Sequence, residues 1–302
     1  MICLLSIHHT GTYGQQSLDY THYMFNNLLE NPAYAGRPEI SNMTFLTRHQ
    51  WIGMEGAPTS YVFSLHTPLK NKNAGAGIDL KHNAMGPLQV TGLFMDYAYS
   101  FHVSKSLQLS MGLKGGGNLY EINLQQLKLT DPGDPMFQQD IEDLFLPNVG
   151  AGMHIDYKNW FFDFSVPMLL KNKLAPKDLE YEEGVSRENR MYVFSGGTSI
   201  PVSEHIDFMP SLLSRWIEGA PPNIHFTASA MLHEVLGVGI TYSMGSSFSG
   251  MLNYNFSNGL RVGYAYDYST GVFGEQVPGT HELLIGYNFE FTRQKTLSPR
   301  RF

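Results

Sequence analysis

Pro147-Asn148-Val149-Gly150-Ala151-Gly152-Met153-His154-Ile155-Asp156-Tyr157, then Lys158-Asn159, then Trp160-Phe161-Phe162-Asp163-Phe164-Ser165-Val166, is the stretch that decides the fold. Val149, Ala151, Met153, Ile155 and Tyr157 alternate with Asn148, Gly150, Gly152, His154 and Asp156, a period of two that puts apolar groups on one face of a strand and polar groups on the other. Lys158-Asn159 turns the chain. Trp160, Phe162 and Phe164 then alternate with Phe161, Asp163 and Ser165. An aromatic face of this kind must be hidden in a sandwich or turned toward a lipid bilayer.

The same pattern recurs along the chain. Apolar sets such as Leu107, Leu109, Met111, Leu113; Leu236, Val238, Ile240, Tyr242; and Leu283, Ile285, Tyr287 alternate with Gly, Ser, Gln, Lys, Glu and Asn. Alternation predicts strands over 39–50, 57–67, 73–83, 88–101, 106–116, 147–157, 160–167, 190–200, 205–216, 223–233, 235–245, 247–256, 259–269 and 280–291, fourteen in all. With the first strand running outward from the periplasm, the inner turns at 68–72, 102–105, 158–159, 201–204, 234 and 257–258 are short. The outer connections 117–146 and 168–189 are the longest in the chain. Bacterial outer-membrane barrels show this asymmetry, and a soluble sandwich has no reason to obey it.

Composition agrees. Charged residues are 16% of the 302, against about a quarter in an average soluble domain, while mean hydropathy stays negative at -0.20. No run approaches the ~18 apolar residues of a transmembrane helix. The net charge of -7, without a basic face, argues against nucleic acid as a partner. Cys3 is the single cysteine, so an intramolecular disulfide is excluded. The apolar run Ile2 to Ile7, closing on Gly11-Thr12-Tyr13-Gly14, predicts a signal peptide over 1–14, although the usual basic start is missing. Tyr20, Tyr23, Met24, Phe25, Leu28 and Leu29 have near-helical spacing before Asn31-Pro32, which predicts a short helix or packed coil over 15–38. Its apolar side needs a burial site, and the inside of a wide barrel supplies one. The expected organisation is thus all-β: a transmembrane antiparallel barrel over 39–291, an N-terminal segment over 15–38 that plugs or caps it, and a basic periplasmic tail over 292–302.

Four blocks in order carry a resemblance: Tyr23-Met24-Phe25-Asn26-Asn27, Asn31-Pro32-Ala33-Tyr34-Ala35-Gly36, Arg48-His49-Gln50-Trp51-Ile52-Gly53 and Gly56-Ala57-Pro58-Thr59-Ser60. They resemble the N-terminal signature of the PorP/SprF family, and the strand plan agrees over nearly all the rest. The weak signal peptide and the basic tail depart from the usual pattern. The resemblance implies a non-enzymatic outer-membrane component of the type IX secretion and gliding machinery of Bacteroidetes. Its implied partners are a secreted protein with a C-terminal sorting domain, periplasmic ring and core components, and outer-membrane lipid. The alternative function is a porin-like or substrate-selective channel.

Candidate site residues fall in two groups. Asn26, Asn31, Pro32, Tyr34, Gly36, Arg48, Gln50, Trp51, Gly53, Gly56 and Pro58 form a partner-binding or plug set, which can equally serve to start and close the barrel. His154, Asp156, Asp163, Asp207, Arg261 and Asp267 belong to an inward-facing lumen set, together with Asp79, Lys81, Asp96, Lys114, Arg215, Glu282 and Glu290. His154 and Asp156 share a face, as a base and its orienting carboxylate would. No nucleophile motif accompanies them, so the chain reads as having no catalytic residues. Asp131, Asp134, Asp140 and Asp143 in the long outer loop could bind calcium, yet their spacing is not that of an EF-hand; a solvated acidic loop is the expectation, with no metal or cofactor.

Overall fold

The computed structural model describes residues 19–37, 40–70, 73–124, 140–174, 188–270 and 278–289. The expected signal peptide, the basic tail, Glu290, Asp131 and Asp134 lie outside them. The strands are β1 (Ser41–His49), β2 (Thr59–Pro68), β3 (Ala74–Met85), β4 (Leu88–Ser104), β5 (Leu107–Ile122), β6 (Ile141–Tyr157), β7 (Trp160–Met168), β8 (Met191–Thr198), β9 (Ile200–Ser203), β10 (Ile206–Ile217), β11 (Asn223–Leu232), β12 (Leu236–Ser243), β13 (Ser247–Asn255), β14 (Leu260–Ser269) and β15 (Thr280–Phe289). β8 and β9 both pair with β10 and are two halves of one stave interrupted at Ser199. The 15-stranded sheet is therefore a barrel of fourteen staves.

Every neighbouring pair is antiparallel, and closure comes from β15 against β1, with Ser41 opposite Phe289 and His49 opposite His281. Closure leaves no edge strand with unpaired backbone groups, which hydrocarbon would not tolerate. The apolar sets face out: Met95, Leu113 and Ile240 are 65%, 65% and 68% exposed, while inward Ser110, Asn148 and Glu282 are buried. No helix among the described residues is long and apolar enough to cross a membrane, so the crossing falls to the strands.

Boundaries differ from the reading of the sequence in three places: β4 runs on to Ser104 and β9 covers Ile200–Ser203, so the inner turns expected at 102–105 and 201–204 shrink to 105–106 and 204–205. The long outer connection at 117–146 is in part strand, because β5 and β6 continue their ladder from Gly117 opposite Pro147 to Ile122 opposite Ile141. The Gly115-Gly116-Gly117 run blurs the alternation that would have marked the extension.

Residues 19–37 lie inside the barrel. They form three 3-10 turns, Tyr23–Phe25, Asn27–Leu29 and Pro32–Tyr34, in place of a regular helix. Their apolar residues make the interior packing: Tyr20 with Leu46, Val62 and Leu284, Tyr23 with Val193 and Leu213, and Leu28 with Ala35 and Ala98.

Candidate functional site

The candidate site is the bore: inward side chains, the segment 19–37 threaded through it, and the space left between them. Asp19 is level with the long-loop end of the staves and Arg37 with the short-turn end, so the segment descends the bore before entering β1. The short-turn end faces the periplasm in outer-membrane barrels.

Glu282 on β15 is the upper anchor. Its carboxylate accepts from the backbone N–H of Thr21 (3.0 Å) and His22 (2.8 Å), from His22 Nδ1 (2.7 Å) and from Arg48 Nη1 (3.1 Å). Arg48 also pairs with Asp267 at 2.5 Å, and Thr21 donates its hydroxyl to Asp267 at 2.7 Å. Such charge-assisted bonds are roughly twice as strong as neutral ones. Across the bore, Arg215 of β10 holds Glu30 (2.7 Å) and Asp19 (2.8 Å). Lys114 of β5 bridges Asp79 (2.6 Å) and the carbonyl of Leu28 (3.2 Å).

Asp163 on β7 is the lower anchor. It accepts from Asn31 Nδ2 (3.0 Å), the Tyr34 hydroxyl (3.0 Å), Ser195 (2.7 Å) and His154 Nδ1 (2.8 Å). Burial, and then the charge of Asp163, push the Tyr34 hydroxyl well above its usual range, so it stays a donor. The other ring nitrogen of His154 faces Asp156 at 3.0 Å, and Asp156 pairs with Arg37. Both ring nitrogens of His154 face carboxylates of the wall. The adjacent His154 and Asp156 thus serve to hold Arg37 and the wall together.

Local sequence explains why the segment fits. Asn31 caps its turn by accepting from Ala33 N at 3.0 Å, and Pro32 follows at the first position, where its missing N–H costs nothing. Wall residues Gly112 and Gly152 have no side chain where the segment passes. A Cβ on Gly112 would overlap the Pro32–Ala33 backbone, and one on Gly152 would overlap the Asn31 amide. Gly36 has φ +77 and backs onto Gly75 at the exit toward β1.

The plug or partner set therefore divides. Asn31, Pro32, Tyr34 and Gly36 touch the wall, and Asn26 is buried with its Nδ2 unbonded. Arg48 is enclosed in ion pairs, and Gln50 is buried, its backbone N–H bonded to Pro58 O at 2.9 Å. Trp51, with φ +48, lines a small vestibule at the long-loop end with Asp19 and Gln50. Gly53 (φ +101) and Gly56 (φ +73) shape the exposed β1–β2 loop. Of the lumen set, Asp156, Asp163, His154 and Asp267 join the two anchors, whereas Asp207 and Arg261 do not. Those two line a cavity of about 770 Å³ at the short-turn end, with Tyr23, Phe25, Asn26, His66 and Trp160. Arg261 lies over the Phe25 ring at 4.6 Å and donates to Asn255 at 2.7 Å.

Sequence reasoning missed Asp19, His22, Glu30 and Arg37, the segment's own halves of these ties. Four ionisable groups in an otherwise apolar and amide-rich stretch were the available signal. It also missed Glu188, which reaches in from the 169–190 connection to accept from Asn118 (2.7 Å), Tyr120 (2.6 Å), Asn148 (3.1 Å) and Asn172 (2.7 Å).

Among solved structures the barrel is similar to the toluene transporter TbuX of Ralstonia pickettii, at 10% identity and a TM-score of 0.51, covering 88% of this chain and 93% of that one. The CymD monoaromatic hydrocarbon channel gives 11% and 0.51 over 88% and 92%, and the toluene transporter TodX of P. putida 9% and 0.51 over 88% and 94%. At these identities the likeness is one of fold, and it places the chain among outer-membrane barrels. No curated protein matches the sequence. The model of the type IX secretion system membrane protein PorP/SprF matches residues 12–287, nearly the whole barrel and the segment inside it. The chain belongs to the PorP/SprF family of type IX secretion system membrane proteins, and its place is the outer membrane.

Proposed function

We propose that this barrel is a docking component of type IX secretion, binding a protein partner to support export and attachment at the cell surface. The partner is a secreted protein with a C-terminal sorting domain or a component of the periplasmic ring and core complex. The observation that carries the reading is the filled bore. A segment fixed by Glu282, Arg215, Lys114 and Asp163 stands in the path a diffusion channel would need, whereas it gives a docking protein a rigid floor for the cavity at the periplasmic end. The exposed loop Ile52–Gly56 offers a second surface at the other end.

Detergent pull-down of the tagged protein from native outer membranes, with mass spectrometry of what co-purifies, tests this. Recovery of a large secreted protein or of ring components is the expected result. A lone barrel that conducts ions in a planar bilayer would replace docking with the channel reading.

A further inference from the structure

The cavity at the short-turn end carries a set of unmatched donors. Arg261 on β14 spends its Nε on Asn255 and stacks on Phe25, and among the described residues neither of its Nη groups has an acceptor. Asn26, the next residue along the segment, is 7% exposed, and its Nδ2 has no acceptor either. His66 Nδ1 is also enclosed and unbonded. All three residues line the cavity. The register of the barrel sets the wall donors in one row: Arg261 faces Gly286 on β15, Asn288 of the same strand faces Asn42 on β1, and Asn42 faces His66 on β2. Asn42 and Asn288 satisfy each other at 2.7 Å, so the row is unmatched at its two ends. A buried donor without an acceptor forfeits its hydration unless something else fills that role.

Most other charges around the cavity are settled. Arg37 pairs with Asp156, and His154 lies between Asp156 and Asp163. Lys158, at the rim, sits over the Tyr157 ring at 5.4 Å. Asp207 on β10, four staves from Arg261, lines the cavity with no base paired to it among the described residues. Phe161, Met209 and Met24 supply apolar lining. The cavity thus offers unused donors, apolar surface and one unused carboxylate.

We propose that this cavity binds a peptide segment through a carboxylate, which Arg261 and Asn26 receive while an apolar side chain of the peptide packs on Phe161, Met209 and Met24. The proposal rests on the docking reading and names the chemistry that a protein partner presents there. A guanidinium matches a carboxylate in shape as well as charge. A peptide also brings backbone N–H groups for Asp207, whereas a fatty acid would set hydrocarbon against that carboxylate and an inorganic anion would leave the apolar lining bare. Sites of about 300 to 1,000 Å³ hold ligands of the size of a short peptide, and this one has about 770 Å³.

The test uses the full chain folded in amphipol and three tripeptides carrying para-fluorophenylalanine. Acetyl-Leu-Asp-Phe-amide has its acid on a side chain, acetyl-Leu-Asn-Phe has it at the chain end, and acetyl-Leu-Asn-Phe-amide has none. Binding is read from broadening of the fluorine resonance on titration. At least one acidic probe is expected to bind about tenfold tighter than the uncharged one, the scale of a hydrogen bond to a charged group. Which acid does so tells whether the carboxylate comes from a side chain or a chain end. Arg261→Met, similar in reach and uncharged, is expected to lose the preference while keeping the heat-shifted band of a folded barrel. Equal binding of all three probes, no binding, or a preference that survives Arg261→Met overturns the proposal. If Arg261→Met does not fold, the parent protein is cross-linked to the preferred acidic probe with benzoylphenylalanine in place of its phenylalanine. A cross-link to Met24 or Met209 then supports the site, and a cross-link elsewhere, or none, overturns it. Recovery of secretion partners by pull-down is read independently, so the carboxylate site can fail while the docking reading stands.

Discussion

Two sectors of the bore handle polarity in opposite ways. β1, β5, β7, β10, β14 and β15 each carry an inward acid or base, and these reach across to the segment 19–37: Arg48, Lys114, Asp163, Arg215, Asp267 and Glu282. On β12 and β13 they are Thr241, Ser243 and Ser249, all buried; Thr241 bonds Thr227 at 2.8 Å and Ser243 bonds His225 at 2.7 Å on neighbouring β11. Charged residues have long side chains and strong partners, so they bind across the bore. The hydroxyls of β12 and β13 bind along the wall, and the segment meets this side through Thr227, which accepts from the Tyr23 hydroxyl at 3.2 Å. The segment is hung chiefly from the acid and base side chains, and β12 and β13 support it at one remove, through Thr227.

Substitutions in each sector can break this contrast. Glu282→Ala leaves Arg48 with Asp267 alone and strips two backbone N–H groups of the segment of their acceptor; removing one partner of a buried ion pair costs about 3 to 5 kcal/mol. Urea titration of the heat-shifted band should read that loss, together with new proteolytic cleavage near Thr21. A variant as stable and protease-resistant as the parent would mean that the upper anchor holds nothing. Asp163→Asn keeps the shape but removes the charge that four donors share, a loss of about 1.5 to 3 kcal/mol at the scale of a hydrogen bond to a charged group. Its cleavage site should move to the lower turn around Asn31, and cleavage at Thr21 instead would show that the two anchors act as one.

Gly112→Ala tests fit rather than charge. The added methyl meets the Pro32–Ala33 backbone, and overpacking of this sort costs about 1 to 3 kcal/mol. Fluorescence of a label at Tyr34→Cys should report a displaced segment while the barrel stays folded; an unchanged spectrum would place the segment farther from the wall. Thr241→Val, in the hydroxyl sector, should lower stability by about 1 kcal/mol and leave protease resistance of the segment as it was. Release of the segment by this variant would dissolve the distinction between the sectors.

Much of this was legible in the sequence because a barrel wall obeys a local rule. Val149, Met153, Phe162 and Leu283 each announce their face by their neighbours two residues away. The rule failed where side chains vanish, at Gly115 to Gly117, and it was silent at Ser199, where one stave breaks in two. Within the bore it told which way Asp163 or Arg261 points but not what meets it. Those meetings depend on Asn31 and Phe25, which follow no period. His154 and Asp156 share a face by the local rule, whereas Asp163, which meets the other ring nitrogen of His154, lies on the next strand, beyond that rule's reach. Glu188 gave no sign at all, since in the sequence it is one more carboxylate of a charge-dense connection.

The upper anchor also constrains the order of events during assembly. Thr21 and its acceptor Glu282 are 261 positions apart, so the first part of the segment to be synthesised waits for the last strand to arrive. Loop closure over such a span is slow. Pairing of β15 with β1 and capture of Thr21 and His22 belong to a single terminal step, and a chain stopped before Thr280 would lack both the seam and the clasp. The strand that closes the barrel is thus also the strand that clasps its filling.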